Sequence, residues 1–139
     1  MLFRSQLHGA DIDLAAIPDL GPVIALLGCA AYGKTRLLNA GRLRLKESDR
    51  LKAIAENLKL LGGKVREKKD GLLIKGMSGA KFVGGEVSSF NDHRIVMMEA
   101  VASLISYGKV SIQGKEAVDK SYPGFFRVME TAGLADNVV

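Results

Sequence analysis

The sequence has no tryptophan and a single cysteine, and aromatic residues make up only 6% of its 139 positions. The lone Cys29 has no possible disulfide partner within the chain. It lies in an apolar, helix-like run and reads as a small buried hydrophobe in a reducing compartment. No apolar run approaches the roughly 18–20 residues needed to span a bilayer; Val23 to Tyr32 is far too short. Arg4, Gln6 and His8 interrupt the first ten residues, which excludes signal-peptide architecture. These absences point to a cytoplasmic protein. The strand-like Leu2-Phe3-Arg4 at the very start looks like a cut chain or a designed start. Metal motifs are also missing. There is no HExxH, CxxC or phosphate-binding P-loop, and His8 and His93 are too few to build a metal site. Neither metal nor cofactor is expected.

What is present is a globular composition, 47% hydrophobic and 25% charged, with a net charge of +5. That composition supports a folded core, and the positive balance favours anionic partners. The basic residues are spread along the chain and aromatics are scarce, so nucleic acid is the weaker reading and small phosphorylated ligands the better one.

Two charged strings stand out. Arg44-Leu45-Lys46-Glu47-Ser48-Asp49-Arg50 and Asn91-Asp92-His93-Arg94 each precede an apolar stretch with helical spacing. Charge at a helix mouth suits an anion site, because the free N–H groups of the first turn and the helix dipole favour negative ligands. The plainer reading is capping by Ser48, Asp49 and Asn91. Both remain open for either string alone; their recurrence in matching places favours function.

The chain repeats itself. Tyr32-Gly33-Lys34 recurs as Tyr107-Gly108-Lys109, Pro18-Asp19 corresponds to Asn91-Asp92, and Lys46 corresponds to Lys120. Two copies of one supersecondary unit follow, each needing neighbours to complete its core. In the first, residues 11–14 read as a strand, 18–32 as a helix, 35–39 as a strand and 48–61 as a helix. The last has a one-faced apolar pattern at Leu51, Ile54, Ala55, Leu58 and Leu61. A hairpin over residues 64–68 and 72–75 closes the unit. In the second, a strand at 86–90, a helix at 92–106, a strand at 109–113 and a helix at 123–132 follow, with the closing hairpin missing or reduced to the tail at 134–139. The Met97-Met98 pair reads as core filler. The glycine-rich stretch between the units reads as a flexible connector. The expected organisation is one partial domain over residues 1–139, with units at 1–76 and 86–139 and the connector at 77–85. The fold class is α/β (α+β), built of repeated β-α-β-α-β-β units.

The charged strings and their neighbours resemble the EPSP synthase family. Ile17-Pro18-Asp19, Leu43 to Leu51, Phe90-Asn91-Asp92-His93-Arg94 and Lys120-Ser121-Tyr122-Pro123-Gly124-Phe125-Phe126 match its motifs in order. The resemblance implies about two of the three units of one domain of the enolpyruvyl transferase fold, an inside-out α/β barrel, and therefore a C-terminal piece of such an enzyme. It implies transfer of the enolpyruvyl group of phosphoenolpyruvate to the 5-hydroxyl of shikimate 3-phosphate by addition and elimination of phosphate, without a metal. Asp19 is then expected to meet the shikimate hydroxyls as base, Lys46 to bridge the substrates and move a proton, and Glu47 to act as acid/base at the enolpyruvyl carbon. Arg50 and Arg94 are expected to grip phosphoenolpyruvate, Lys120 to contact phosphate, and Asp49, Asp92 and His93 to orient the others. The chain alone is expected to be inactive, the other wall of the cleft belonging to the remainder of the enzyme. Two rivals are an enolpyruvyl transferase acting on UDP-N-acetylglucosamine and a non-catalytic anion-binding half-domain.

Overall fold

The computed structural model describes residues 5–139, so the strand-like start at Leu2-Phe3-Arg4 lies outside the described residues. The chain runs β1 (Asp11–Asp13), a 3-10 turn (Pro18–Leu20), α1 (Gly21–Ala30), β2 (Lys34–Leu38), a second 3-10 turn (Gly41–Leu45), α2 (Arg50–Leu60), and a hairpin of β3 (Lys64–Lys68) and β4 (Gly71–Lys75). It continues with β5 (Gly85–Ser88), α3 (His93–Ala102), a 3-10 turn (Ser103–Ile105), β6 (Val110–Gln113), a last 3-10 turn (Lys115–Lys120) and α4 (Phe125–Thr131).

Two sheets form. The first has the order β1-β2-β4-β3, with β1 parallel to β2 and the other pairs antiparallel. The second pairs β5 and β6 in parallel. The tail completes the second unit without a hairpin: Val138 bridges Val110 in parallel, and Val110 N–H donates to the Asn137 carbonyl at 2.7 Å.

Helices α1 and α2 pack on one face of the first sheet. Thr35, Leu37, Leu72, Ile74 and Val65 turn one face of the first sheet inward. There they meet Leu26, Cys29, Leu51, Ile54 and Leu58 of α1 and α2 in a single core that continues through Val87, Ile95, Val96 and Ile112 of the second unit. Cys29 is fully buried, and burial pushes its thiol up to about 12. The apolar face expected on α2 is the observed one, with Leu51, Ile54, Ala55, Leu58 and Leu61 all inaccessible.

Three expectations are corrected. The helix over 18–32 is a 3-10 turn followed by α1, because Pro22 cannot donate the backbone bond a continuous helix would need there. Asn91 is not the cap of α3; it sits in the left-handed region at φ 54°, and Asp92 caps instead by accepting from the Arg94 N–H at 3.0 Å. The glycine-rich stretch is held in place rather than free. Phe82 is fully buried, its N–H donates to Ile105 at 2.9 Å, and the Val83 N–H donates to Leu61 at 2.9 Å, so both units grip it. Shortening this anchor in Phe82→Leu is expected to cost about 1–1.5 kcal/mol, read as a lowered denaturation midpoint with an unchanged urea slope.

One buried carboxyl belongs to no charged partner. Glu99 on α3 is inaccessible; Asn57 of α2 donates to its Oε1, and its Oε2 has no partner. Asn57 also donates to the Ser88 carbonyl at 2.8 Å, tying both units together. Burial raises the Glu99 carboxyl to about 9, against the opposing pull of the Asn57 bond. The folded chain therefore keeps a proton that the unfolded chain releases above the ordinary carboxyl range. Stability should fall as pH rises from about 5 towards about 9 and level off above it. In Glu99→Gln this component of the slope should vanish and neutral-pH stability should rise, measured by urea unfolding of both chains at the two ends of that window.

Candidate active site

Three backbone entrances meet at one end of the helical layer: the turn Pro18–Leu20 ahead of α1, the segment 46–49 ahead of α2, and residues 89–92 ahead of α3. Asp49 caps α2 by accepting from the Lys52 N–H at 3.1 Å. These are the positions where unsatisfied N–H groups and the helix dipole favour negative charge.

Arg50 sits at the centre, with its side chain 1% exposed. Its Nε and Nη2 reach Asp92 at 2.8 and 3.2 Å, Nη2 also donates to Glu47 Oε2, and Nη1 reaches Asp19 Oδ1 at 3.1 Å. Burial works against the charge of Asp92, but the bonds from Arg50 and Ser48 outweigh it and hold the carboxyl below its ordinary value. The Ser48 hydroxyl donates to Asp92 Oδ2 at 2.8 Å. Asp92 thus joins the first turn of α3 to that of α2, across the two units.

Asp19 is half exposed and shared. Lys46 Nζ lies 3.2 Å from its Oδ1, beside the Arg50 contact. The Lys46 hydrogen bond, supported by the charges of Lys46, Arg94 and Arg50, lowers the Asp19 carboxyl. The Arg94 guanidinium donates to the Asp19 backbone carbonyl at 3.4 Å and has no carboxylate partner among the described residues. Lys120, at the end of its 3-10 turn, donates to the Asn91 carbonyl at 2.6 Å and is likewise without a carboxylate partner there. Beside this cluster a cavity of about 170 Å3 runs between α1 and α3, lined by Asp19, Leu20, Val23, Arg94, Met97 and Val101.

The cluster thus contains Asp19, Lys46, Glu47, Arg50, Asp92, Arg94 and Lys120. Arg50 stands apart from the surface grip expected of it: its donors are already engaged by three carboxylates, whereas Arg94 and Lys120 each meet only a backbone carbonyl. Asp49 faces away, where Arg44 binds it at 3.0 Å together with Glu67, and Arg44 also donates to the Lys68 and Lys69 carbonyls of the β3–β4 turn. His93 begins α3 with a buried, unpartnered Nδ1. Ser48 is the participant that sequence reasoning placed only as a cap; its place between the two helix mouths depends on a contact with a residue 44 positions away. Among the described residues no group of three or more His, Cys, Asp or Glu side chains is arranged to hold a metal ion, and no helix is long and apolar enough to cross a membrane.

Comparison with known proteins adds the following. The family model described as EPSP synthase (3-phosphoshikimate 1-carboxyvinyltransferase) matches residues 1–129. A 3-phosphoshikimate 1-carboxyvinyltransferase from Clostridium novyi is 48% identical over 130 residues, which is 94% of this chain and 29% of that protein. The protein of the same name from Methanocaldococcus jannaschii is 46% identical over 128 residues, covering 92% and 29%. The chain therefore spans under a third of the length of these relatives. The structure of an EPSP synthase from Acinetobacter baumannii superposes with a TM-score of 0.87 at 34% identity, covering 93% of this chain and 31% of that one. The enolpyruvyl transferase NikO from Streptomyces tendae, at 19% identity, shares the fold, with a TM-score of 0.75 over 94% of this chain and 29% of that one.

Proposed function

The chain belongs to the EPSP synthase family, and from that premise we propose that its charged cluster forms one wall of a site transferring the enolpyruvyl group of phosphoenolpyruvate to the 5-hydroxyl of shikimate 3-phosphate. The observation that carries this is the meeting of Asp19, Lys46 and Glu47 with two cations that have no carboxylate partner among the described residues, Arg94 and Lys120, at one group of helix mouths. Both substrates are anions, and the addition and elimination steps need charge neutralisation and proton transfer at fixed positions.

Arg94 and Lys120 take phosphate or carboxylate oxygens, the guanidinium in bidentate fashion. Lys46 leaves Asp19 for a substrate phosphate. That exchange matters for Asp19, because a carboxylate held down by an ammonium is a weak base; once Lys46 turns to the substrate, Asp19 regains the basicity needed to take the proton of the attacking hydroxyl. Glu47, exposed on its free side, delivers and recovers the proton at the enolpyruvyl carbon. Arg50 holds Asp19 and Glu47 in place and contacts substrate only where one of those carboxylates yields. Asp92 and Ser48 fix Arg50, while Asp49 and His93 orient the first turns of their helices. Since the chain covers 29% of its relative from Clostridium novyi, the opposite wall and the remaining ligands come from outside it, and the chain by itself should give no turnover. The unpaired, buried Cys29 supports a cytoplasmic setting.

The sequence relatives carry the shikimate name rather than a nucleotide-sugar one. Titration calorimetry separates the two: shikimate 3-phosphate should bind this chain and UDP-N-acetylglucosamine should not. The reverse order would transfer the assignment to the nucleotide-sugar reaction.

A further inference from the structure

The face of the first sheet turned away from the helices is mainly basic across β2, β4 and β3, with Asp11 and Asp13 on its β1 edge. Lys34, Lys75 and Lys64 stand directly opposite one another on β2, β4 and β3, and in the next row Arg36, Leu73 and Arg66 do the same. Lys68 continues the face on β3, and Leu38, 40% exposed, continues it on β2. Like charges directly opposite on adjacent strands repel, so this arrangement costs the sheet stability in return for nothing inside the chain. Arg36 is paired with Asp11 at the β1 edge. Lys34, Lys64, Arg66, Lys68 and Lys75 have no carboxylate partner among the described residues.

The same face is hollowed. A depression of about 420 Å3 is lined by Lys34, Lys64, Arg66 and Lys75, and one of about 530 Å3 by Arg36, Leu38, Lys68 and Asp70, with Leu73 shared between them; the Asp70 carboxylate already accepts from the Gly41 N–H. The face is remote from the cluster of Asp19, Lys46 and Arg94, none of which lines either depression.

We propose that this face binds an extended acidic segment of a partner protein. Rows two residues apart on a strand are separated by roughly 6.5–7 Å, which is also the spacing of same-side side chains along an extended peptide. A segment lying along β4 therefore sets its side chains i, i+2 and i+4 over the lysine row, over Leu73 and over the Lys68 row. The matching pattern is acid, any residue, apolar, any residue, acid. Single-stranded nucleic acid is the poorer occupant, because the face carries no aromatic ring for bases to stack on.

The test is an NMR titration of the isotope-labelled chain with the capped peptide Glu-Thr-Leu-Thr-Glu. Saturable amide shifts are expected at Lys34, Arg66, Leu73 and Lys75, with binding about fivefold weaker when the central leucine of the peptide is glycine. The combined change Lys34→Glu, Lys64→Glu, Lys75→Glu should weaken binding by at least about tenfold. The corresponding triple change to glutamine, gentler on folding, should weaken it in the same direction with an unchanged circular dichroism spectrum. Shifts confined to residues around Lys46 and Arg94, equal binding of the leucine and glycine peptides, or tighter binding of an oligothymidylate would each overturn the proposal, the last in favour of nucleic acid.

Discussion

Replacing Asp92 with alanine is expected to cost the fold about 3–5 kcal/mol. The carboxylate is inaccessible, accepts from Arg50 and Ser48, and caps α3. Its removal leaves a guanidinium that is 1% exposed with only two half-exposed carboxylates, Asp19 and Glu47, to hold it. The buried charge left short of partners dominates, and the lost cap adds about 1 kcal/mol. Ser48→Ala removes a single neutral donor and should cost only about 1 kcal/mol. The decisive comparison is the double change Asp92→Ala with Arg50→Met. Removing both charges abolishes the desolvation penalty along with the attraction, so the pair should be more stable than Asp92→Ala alone. Urea unfolding of the parent, Asp92→Ala, Arg50→Met and the double change measures this. Simple additivity would mean that Arg50 and Asp92 are not coupled as the 2.8 Å contact requires.

The second large effect concerns ligand binding. Lys46→Met should weaken binding of shikimate 3-phosphate by roughly tenfold to a hundredfold, the range of one hydrogen bond to a charged group. Lys46 pairs with the half-exposed Asp19 across 3.2 Å, not with a buried partner, so its loss should scarcely touch stability. The contrast is diagnostic: at Asp92 stability falls first and binding follows, whereas at Lys46 binding falls and the unfolding midpoint stays. A Lys46→Met chain that binds as tightly as the parent would remove Lys46 from the site.

Much of this was legible in the residues, and the exceptions share physical causes. The one-sided apolar spacing of residues 51–61 and the turn residues Asp70-Gly71 of the β3–β4 hairpin report local geometry, which the sequence encodes directly. The 3-10 turns over Gly41–Leu45 and Lys115–Lys120 were missed, although they sit at matching places in the two units and each delivers a lysine of the site. Turns this short are too brief to show a period. The glycine content of residues 76–85 suggested mobility, yet one aromatic side chain, Phe82, outweighs it by burying itself between the units. Arg50 misled for a different reason. A charged residue in a motif reads as surface unless its partners are known, and its strongest partner, Asp92, lies 42 positions away. The basic sheet face was hidden in the same manner. Lys34 and Arg36, Lys64 to Lys68, and Lys75 are separate in sequence, and only strand register gathers them.

The central claim is that Asp19, Lys46, Arg94 and Lys120 of the two units act on one anionic ligand. The most direct measurement is a chemical-shift titration of the labelled chain with shikimate 3-phosphate, following the backbone amides of these residues and the side-chain nitrogens of Lys46, Arg94 and Lys120. All four positions should shift along a single binding isotherm, with the Lys46 ammonium moving away from its Asp19-paired position. Shifts at one unit alone, or at separate midpoints for Lys46 and Lys120, would contradict a shared site.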